Sequence, residues 1–165
     1  MPVSNVTTDP KALTMTVVAE FDAALPRVWQ LYADPRQLER WWIPAEYPLT
    51  IVEHDLSVGG FVRAEVVGPG GEKARAYWRI TALDAPRSMA WEDGFLNERG
   101  EIDPTMPINT MRLMLSERAG GGTVMTLVTA FDSVESMEMH IAMPLEEQMA
   151  VVIGQAEALL SGALV

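Results

Sequence analysis

The chain has no cysteine, little basic charge, only 2 histidines and no long apolar run. Each shortage removes a class of protein. Without cysteine there are no disulfides and no thiolate metal sites, a composition that fits a reducing cytoplasm. Lys and Arg number 12 against 23 Asp and Glu, a formal net charge of -11. A surface this acidic repels phosphate backbones and anionic lipid, so nucleic acid and membrane insertion are not expected. No apolar stretch approaches the roughly 20 residues that cross a bilayer. His54 and His140 lack HExxH spacing, which argues against a zinc site. Gly59 and Gly60 are not followed by the Lys-Ser or Lys-Thr of a phosphate loop, so they read as a turn. No metal and no cofactor are expected. The opening residues, MPVSNVTTDPK, are polar, unlike a secretory leader, and residues 1–12 read as a disordered tail.

What is present points to one domain over residues 13–165, long enough to bury a core. The richest stretch, Arg27–Trp42, reads RVWQLYADPRQLERWW. It spells two short helices, at about Pro26–Ala33 and Pro35–Trp41. Asp34 caps the second, Pro35 fits its first position, and Gln37 sits where a capping box wants a glutamine. Large rings at such density need a wall to pack against, or they line a pocket. The 11 methionines suit an adaptable core or a permissive cavity.

Leu13–Phe21 alternates apolar and polar residues and reads as a strand. Further strands follow at Leu49–Asp55, Phe61–Val67, Lys73–Leu83 and Met89–Glu92, with glycine turns between some of them and Pro86 ending the fourth. Asp93–Asn109 has no period and reads as a long surface loop. Thr110–Glu117 and Thr123–Phe131 form a last hairpin. The remainder is one long helix, with Asp132 and Glu135 resembling a capping box and Val134, Met137, Ile141, Leu145, Val152, Ala156 and Leu159 on one face. The expected architecture is α+β: a curved antiparallel sheet of about six or seven strands around a long C-terminal helix. Side chains cannot easily fill the space between a bent sheet and a straight rod, so a cavity is expected there.

At this point the residues resemble a known group. VW…ADP…L.RWW, then HDLSVGG, then YWRI with Pro86 and Trp91-Glu92, and finally ESMEMHIAMPLEEQM are similar to the bacterial relatives of the heat-shock-protein-90 ATPase activators, within the START-like or SRPBCC superfamily. The likeness runs from about Leu13 to Ser161 and implies a helix-grip fold with an internal cavity. It implies little about activity, because that superfamily includes lipid carriers, hydrophobic-ligand binders, polyketide cyclases and chaperone activators. Eukaryotic activators use a separate amino-terminal domain, and this chain is not expected to carry one. Where relatives usually place a glycine, this chain has Pro144, which predicts a bend or a delayed helix start near Met143.

The candidate cavity residues are Trp41, Trp42, Trp78, Trp91, Met111, Arg112, Met137, His140 and Ile141. Trp41 and Trp42 either form a lid on the pocket or pin the helix pair to the sheet. Adjacent helical residues point roughly 100° apart, so both cannot face one cavity centre. If Trp78 and Trp91 face inward, their neighbours Arg79 and Glu92 face outward. Arg63, Glu65, Arg79 and Arg112 sit among apolar neighbours. Any that point inward need a partner. Arg112 becomes an inward anchor only if Met111 and Leu113 face away, and the alternation permits either arrangement. In Glu53-His54-Asp55 the histidine faces away from both carboxylates. Glu92, Asp93, Glu98, Glu101 and Asp103 read as a solvated rim.

The leading expectation is a non-enzymatic or weakly catalytic carrier that binds a small hydrophobic or amphipathic molecule. A cyclase or hydratase working through His140 and Arg112 is the alternative, and a chaperone-associated module is a third. A homodimer is compatible with the chain but not fixed by it.

Overall fold

The computed structural model describes residues 3–141 and 145–162. Eight antiparallel strands form one sheet: β1 Val3–Asp9, β2 Thr14–Phe21, β3 Leu49–His54, β4 Phe61–Val67, β5 Lys73–Asp84, β6 Ser88–Leu96, β7 Asn109–Glu117 and β8 Thr123–Ala130. Their order across the sheet is β1-β2-β8-β7-β6-β5-β4-β3, so the first hairpin closes onto the last strand. Helices α1 Leu25–Ala33 and α2 Pro35–Trp41 follow β2. Helices α3 Val134–Ile141 and α4 Leu145–Leu160 complete the chain. This is the expected helix-grip arrangement, with slightly more strands than the sequence indicated.

The extra strand is β1, in the stretch read as a disordered tail. It pairs with β2 in register from Val6↔Val17 to Asp9↔Thr14. The Asp9 carboxylate closes the hairpin by accepting from the Lys11 and Ala12 N–H groups at 3.0 and 3.2 Å. Five of the seven residues of β1, VSNVTTD, are polar, as suits an edge strand held by backbone bonds, and Val6 packs against the core. A second correction concerns Asp93–Asn109. Its first four residues continue β6 and Asn109 opens β7, so the loop is shorter, and an isolated bridge joins Leu96 to Ile102.

Alternation decides which side chains enter the core. Met15, Val17, Ala19 and Phe21 of β2 are buried, as are Met111, Leu113 and Leu115 of β7 and Met125 and Leu127 of β8. They meet Val152, Ile153, Ala156 and Leu159 of α4. Full burial of each large apolar side chain contributes roughly 1.5–3 kcal/mol. Register breaks fall between Ile51 and Glu53 in the β3–β4 pair and between Ile80 and Ala82 in the β5–β6 pair, and such irregularities bend strands and increase their twist.

The N-terminus of α3 is set one residue later than the sequence suggested. Ser133 Oγ accepts from the Ser136 N–H at 3.0 Å, while Asp132 instead accepts from the Ile108 N–H at 2.8 Å. The long terminal helix is described as two segments, and the bend predicted near Met143 and Pro144 lies outside the described residues.

Candidate functional site

Two rows of facing residues build the floor of a cavity on the concave side of the sheet. One row runs Trp78↔Asp93↔Asn109 across β5, β6 and β7. The next runs Trp91↔Met111↔Thr129↔Met15 across β6, β7, β8 and β2. Gln148, Met149, Val152 and Ile153 of α4 face this floor, and Trp41 and Trp42 close one end. The enclosed space is about 250 Å³. A second lobe of about 190 Å³ meets it at Trp42, Asp93 and Phe95, with Ile51, Val62 and Trp78 in its wall.

The end wall depends on how α1 stops. In an unbroken helix the Leu31 carbonyl would accept from residue 35, but Pro35 has no N–H. The Trp41 indole takes that place, donating to Leu31 O at 2.9 Å. The next carbonyl, Tyr32 O, bonds His54 Nε2 at 3.0 Å, so that nitrogen carries the proton. His54 is therefore a helix-end partner, facing away from Glu53. Asp34 caps α2 as expected, accepting from the Arg36 N–H at 2.9 Å, but no capping box closes: the Gln37 side chain donates to the Asp34 carboxylate at 3.1 Å, and the Asp34 N–H goes to Gln30 O. Gln155 of α4 then ties down the chain after α2, donating to Trp41 O and Ile43 O and accepting from the Ala45 N–H.

These bonds fix a cluster of rings. Tyr32 and Trp41 meet edge to face at 5.2 Å, Trp42 and Trp78 at 4.9 Å, and Trp78 stacks on Trp91 at 4.3 Å. The Tyr32 hydroxyl donates to Met125 Sδ at 3.2 Å, and burial raises its pKa. The Trp91 indole N–H is buried with no acceptor among the described residues.

Against this apolar wall stand a few polar groups. Asp93 is half-buried, and desolvation raises its pKa from 3.8 to about 7. Among the described residues no hydrogen-bond donor or cation offsets that cost. Its neighbour Glu92 turns to the opposite face and pairs with Arg79. Asn109 Oδ1 accepts from the Asp132 N–H at 3.2 Å and Ser136 Oγ at 3.3 Å. A backbone N–H can only donate, so the amide oxygen is committed there and Nδ2 is left for the cavity. Thr129 adds a hydroxyl and Gln148 an amide. Among the described residues, neither lobe is lined by Lys, Arg or His. No group of three or more His, Asp or Glu side chains among them could hold a metal, and no helix is long and apolar enough to cross a membrane.

Residues 22–160 match the family described as Activator of Hsp90 ATPase homolog 1-like protein. The chain belongs to that family. Protein Ms6760 from Mycobacterium smegmatis, known from a crystal structure, is 42% identical, with a TM-score of 0.85 over 96% of this chain and 97% of that one. A protein from Arthrobacter aurescens, solved by NMR, is 39% identical, with a TM-score of 0.87 over 97% and 92%. A Staphylococcus epidermidis protein at 24% identity and a TM-score of 0.85, over 96% of each chain, shares the fold. No curated protein matches.

The candidate residues of this family member separate clearly. Trp41, Trp42 and Met111 line the main lobe, and Trp78 lines the second. Trp91 is buried behind them, stacked on Trp78, and Met137 is buried outside both linings. Arg112 is exposed, because Met111 and Leu113 take the inward face, so it is no cavity anchor. Arg63 and Glu65 are likewise paired, with Glu53 and with Lys73 and Arg75. His140 and Ile141 lie in α3, with side chains outside the described residues. Asp93, assigned to a solvated rim, is instead part of the cavity wall. The signal was present: Met89, Trp91 and Asp93 share one face by period two, and ending the strand at Glu92 hid it. Asn109 and Thr129 were missed for lack of any local motif.

Proposed function

We propose that the protein binds a small amphipathic molecule in the cavity between the sheet and α4. The observation that carries this reading is a largely apolar enclosure in which, among the described residues, the Asp93 carboxyl and Asn109 Nδ2 have no partner. Buried polar groups are costly when unpaired, and a ligand's polar end offsets that cost. Concave apolar walls with a few converging polar groups are the usual form of a small-molecule site.

Native mass spectrometry of freshly purified protein, followed by thermal unfolding with fatty acids, sterols, aromatic polyketides and aryl amines, tests the reading. At least one class raises the melting temperature, as any ligand preferring the folded state must. Val152→Phe, which fills the main lobe from α4, abolishes that shift while keeping cooperative unfolding. No co-purified mass and no shift with any class would refute it.

A second reading is acid–base catalysis on the bound molecule, favoured by an inward carboxyl whose pKa of about 7 suits both protonation states. Asp93 then replaces the His140 and Arg112 pair. Turnover of a bound compound that survives Asp93→Asn would remove it.

A further inference from the structure

We propose that the cavity selects amphiphiles whose polar end is a protonated amine, with the Asp93 carboxylate as counter-ion and the rings of Trp42 and Phe95 beside it. This rests on the ligand-binding reading above and narrows its chemistry. Asp93, Trp42 and Phe95 are shared by both lobes, so a group at their junction lies within reach of either. An ammonium there meets a carboxylate with no competing protein cation among the described residues, and indole and phenyl faces attract cations through their quadrupoles. Thr129 supplies a further acceptor oxygen, and Asn109 Nδ2 suits an ether or hydroxyl oxygen of the same molecule.

The opposite choice fails on charge. A carboxylate or phosphate head would find no Lys, Arg or His in either described lining and would face Asp93 directly. The net charge of -11 also favours the approach of cations over anions to the protein as a whole. Burial raises the Asp93 pKa to about 7, so the counter-ion is fully formed only on the alkaline side of neutrality. Around it, β5 supplies Tyr77, whose own pKa is raised by burial and then by Glu92 and Asp93. Glu92, next to Asp93 on β6, is paired outward with Arg79 of β5. From the other elements come Asn109 of β7, Trp42 after α2 and Gln148 of α4, none of which titrates.

Naphthylethylamine, naphthylethanol and naphthylacetate share one aromatic body and differ in head charge. Isothermal titration of all three into the full chain tests the proposal. The amine binds at least about tenfold tighter than the alcohol, the worth of one charge-assisted hydrogen bond, and the acetate binds weakest. Between about pH 6 and pH 8 the amine's affinity rises about tenfold as the carboxyl ionises, while the alcohol's does not. Asp93→Asn removes both the preference and the pH dependence. Asp93→Glu, which keeps the charge, retains the preference and guards against a purely structural effect of the amide. Equal or tighter binding of alcohol or acetate overturns the amine assignment and leaves the cavity reading standing. Failure of all three to bind also overturns the amine assignment, while the cavity reading stands or falls on the co-purified mass and the thermal screen.

Discussion

Asp93→Asn exchanges a carboxyl for an amide of nearly the same shape that never ionises, and its effect on the ligand-free protein follows from the cavity. In the folded chain the Asp93 pKa is raised from 3.8 to about 7 by desolvation. The folded state therefore holds a proton that the unfolded state releases. Below the unfolded value both states are protonated and the stabilisation linked to that proton is fully present. Between the two values stability falls as pH rises, by about 1.4 kcal/mol per pH unit. Above the folded value the contribution is gone and the bare charge sits in an apolar wall. Because Asp93 is only half-buried and water can enter the cavity, the total is roughly 2–4 kcal/mol. Urea unfolding of both proteins from about pH 5 to pH 8 reads it directly. The parent chain loses about 2–3 kcal/mol over that range that Asp93→Asn does not lose, and the variant is the more stable at about pH 8. Other carboxylates are common to both chains and cancel in the comparison. Parallel profiles would mean a well-solvated carboxyl, and the polar pole of the site would fail with them.

Trp41→Phe deletes the donor that replaces the missing Pro35 N–H. The buried Leu31 carbonyl is left unpaired, and chemical denaturation should show a loss of about 1–3 kcal/mol. Gly94→Ala places a Cβ 2.8 Å from Tyr77 Cε1 and 2.9 Å from its hydroxyl, so the ring must move. A loss of about 1–3 kcal/mol is expected, with altered near-ultraviolet circular dichroism from the displaced tyrosine. Asp34→Ala removes the α2 cap and should cost about 0.5–2 kcal/mol in thermal or urea unfolding, and an unchanged midpoint would show the cap to be dispensable.

The two short helices were legible because their signals are local. Asp34, Pro35 and Gln37 act within one turn, and the structure places the α2 cap where the sequence does. Period-two alternation likewise marked the buried face of β2, whereas in β7 it left both facings open. The sequence tied the facing of Trp78 and Trp91 to that of the charges beside them without choosing a side, and the structure puts the pair Arg79–Glu92 on the outer face. Edge strand β1 was illegible for the reason that makes it an edge: its bonds are backbone bonds, and composition carries no record of them. Gln155 gives no warning of its role, since its three partners lie over 100 residues away in sequence.

By itself the sequence determined every element but β1 in kind and the acidic, cysteine-free chemistry, through short-range periodicity and residue counts, and its family resemblance implied the helix-grip architecture. Tertiary structure alone decided that Asp93 and Asn109 stand side by side, that Arg112 is turned out, and that Trp41 completes the end of α1. Strand register is fixed by the summed packing of whole faces against α4. A polar residue can therefore be delivered to the cavity by its neighbours, with no mark of its own in the chain.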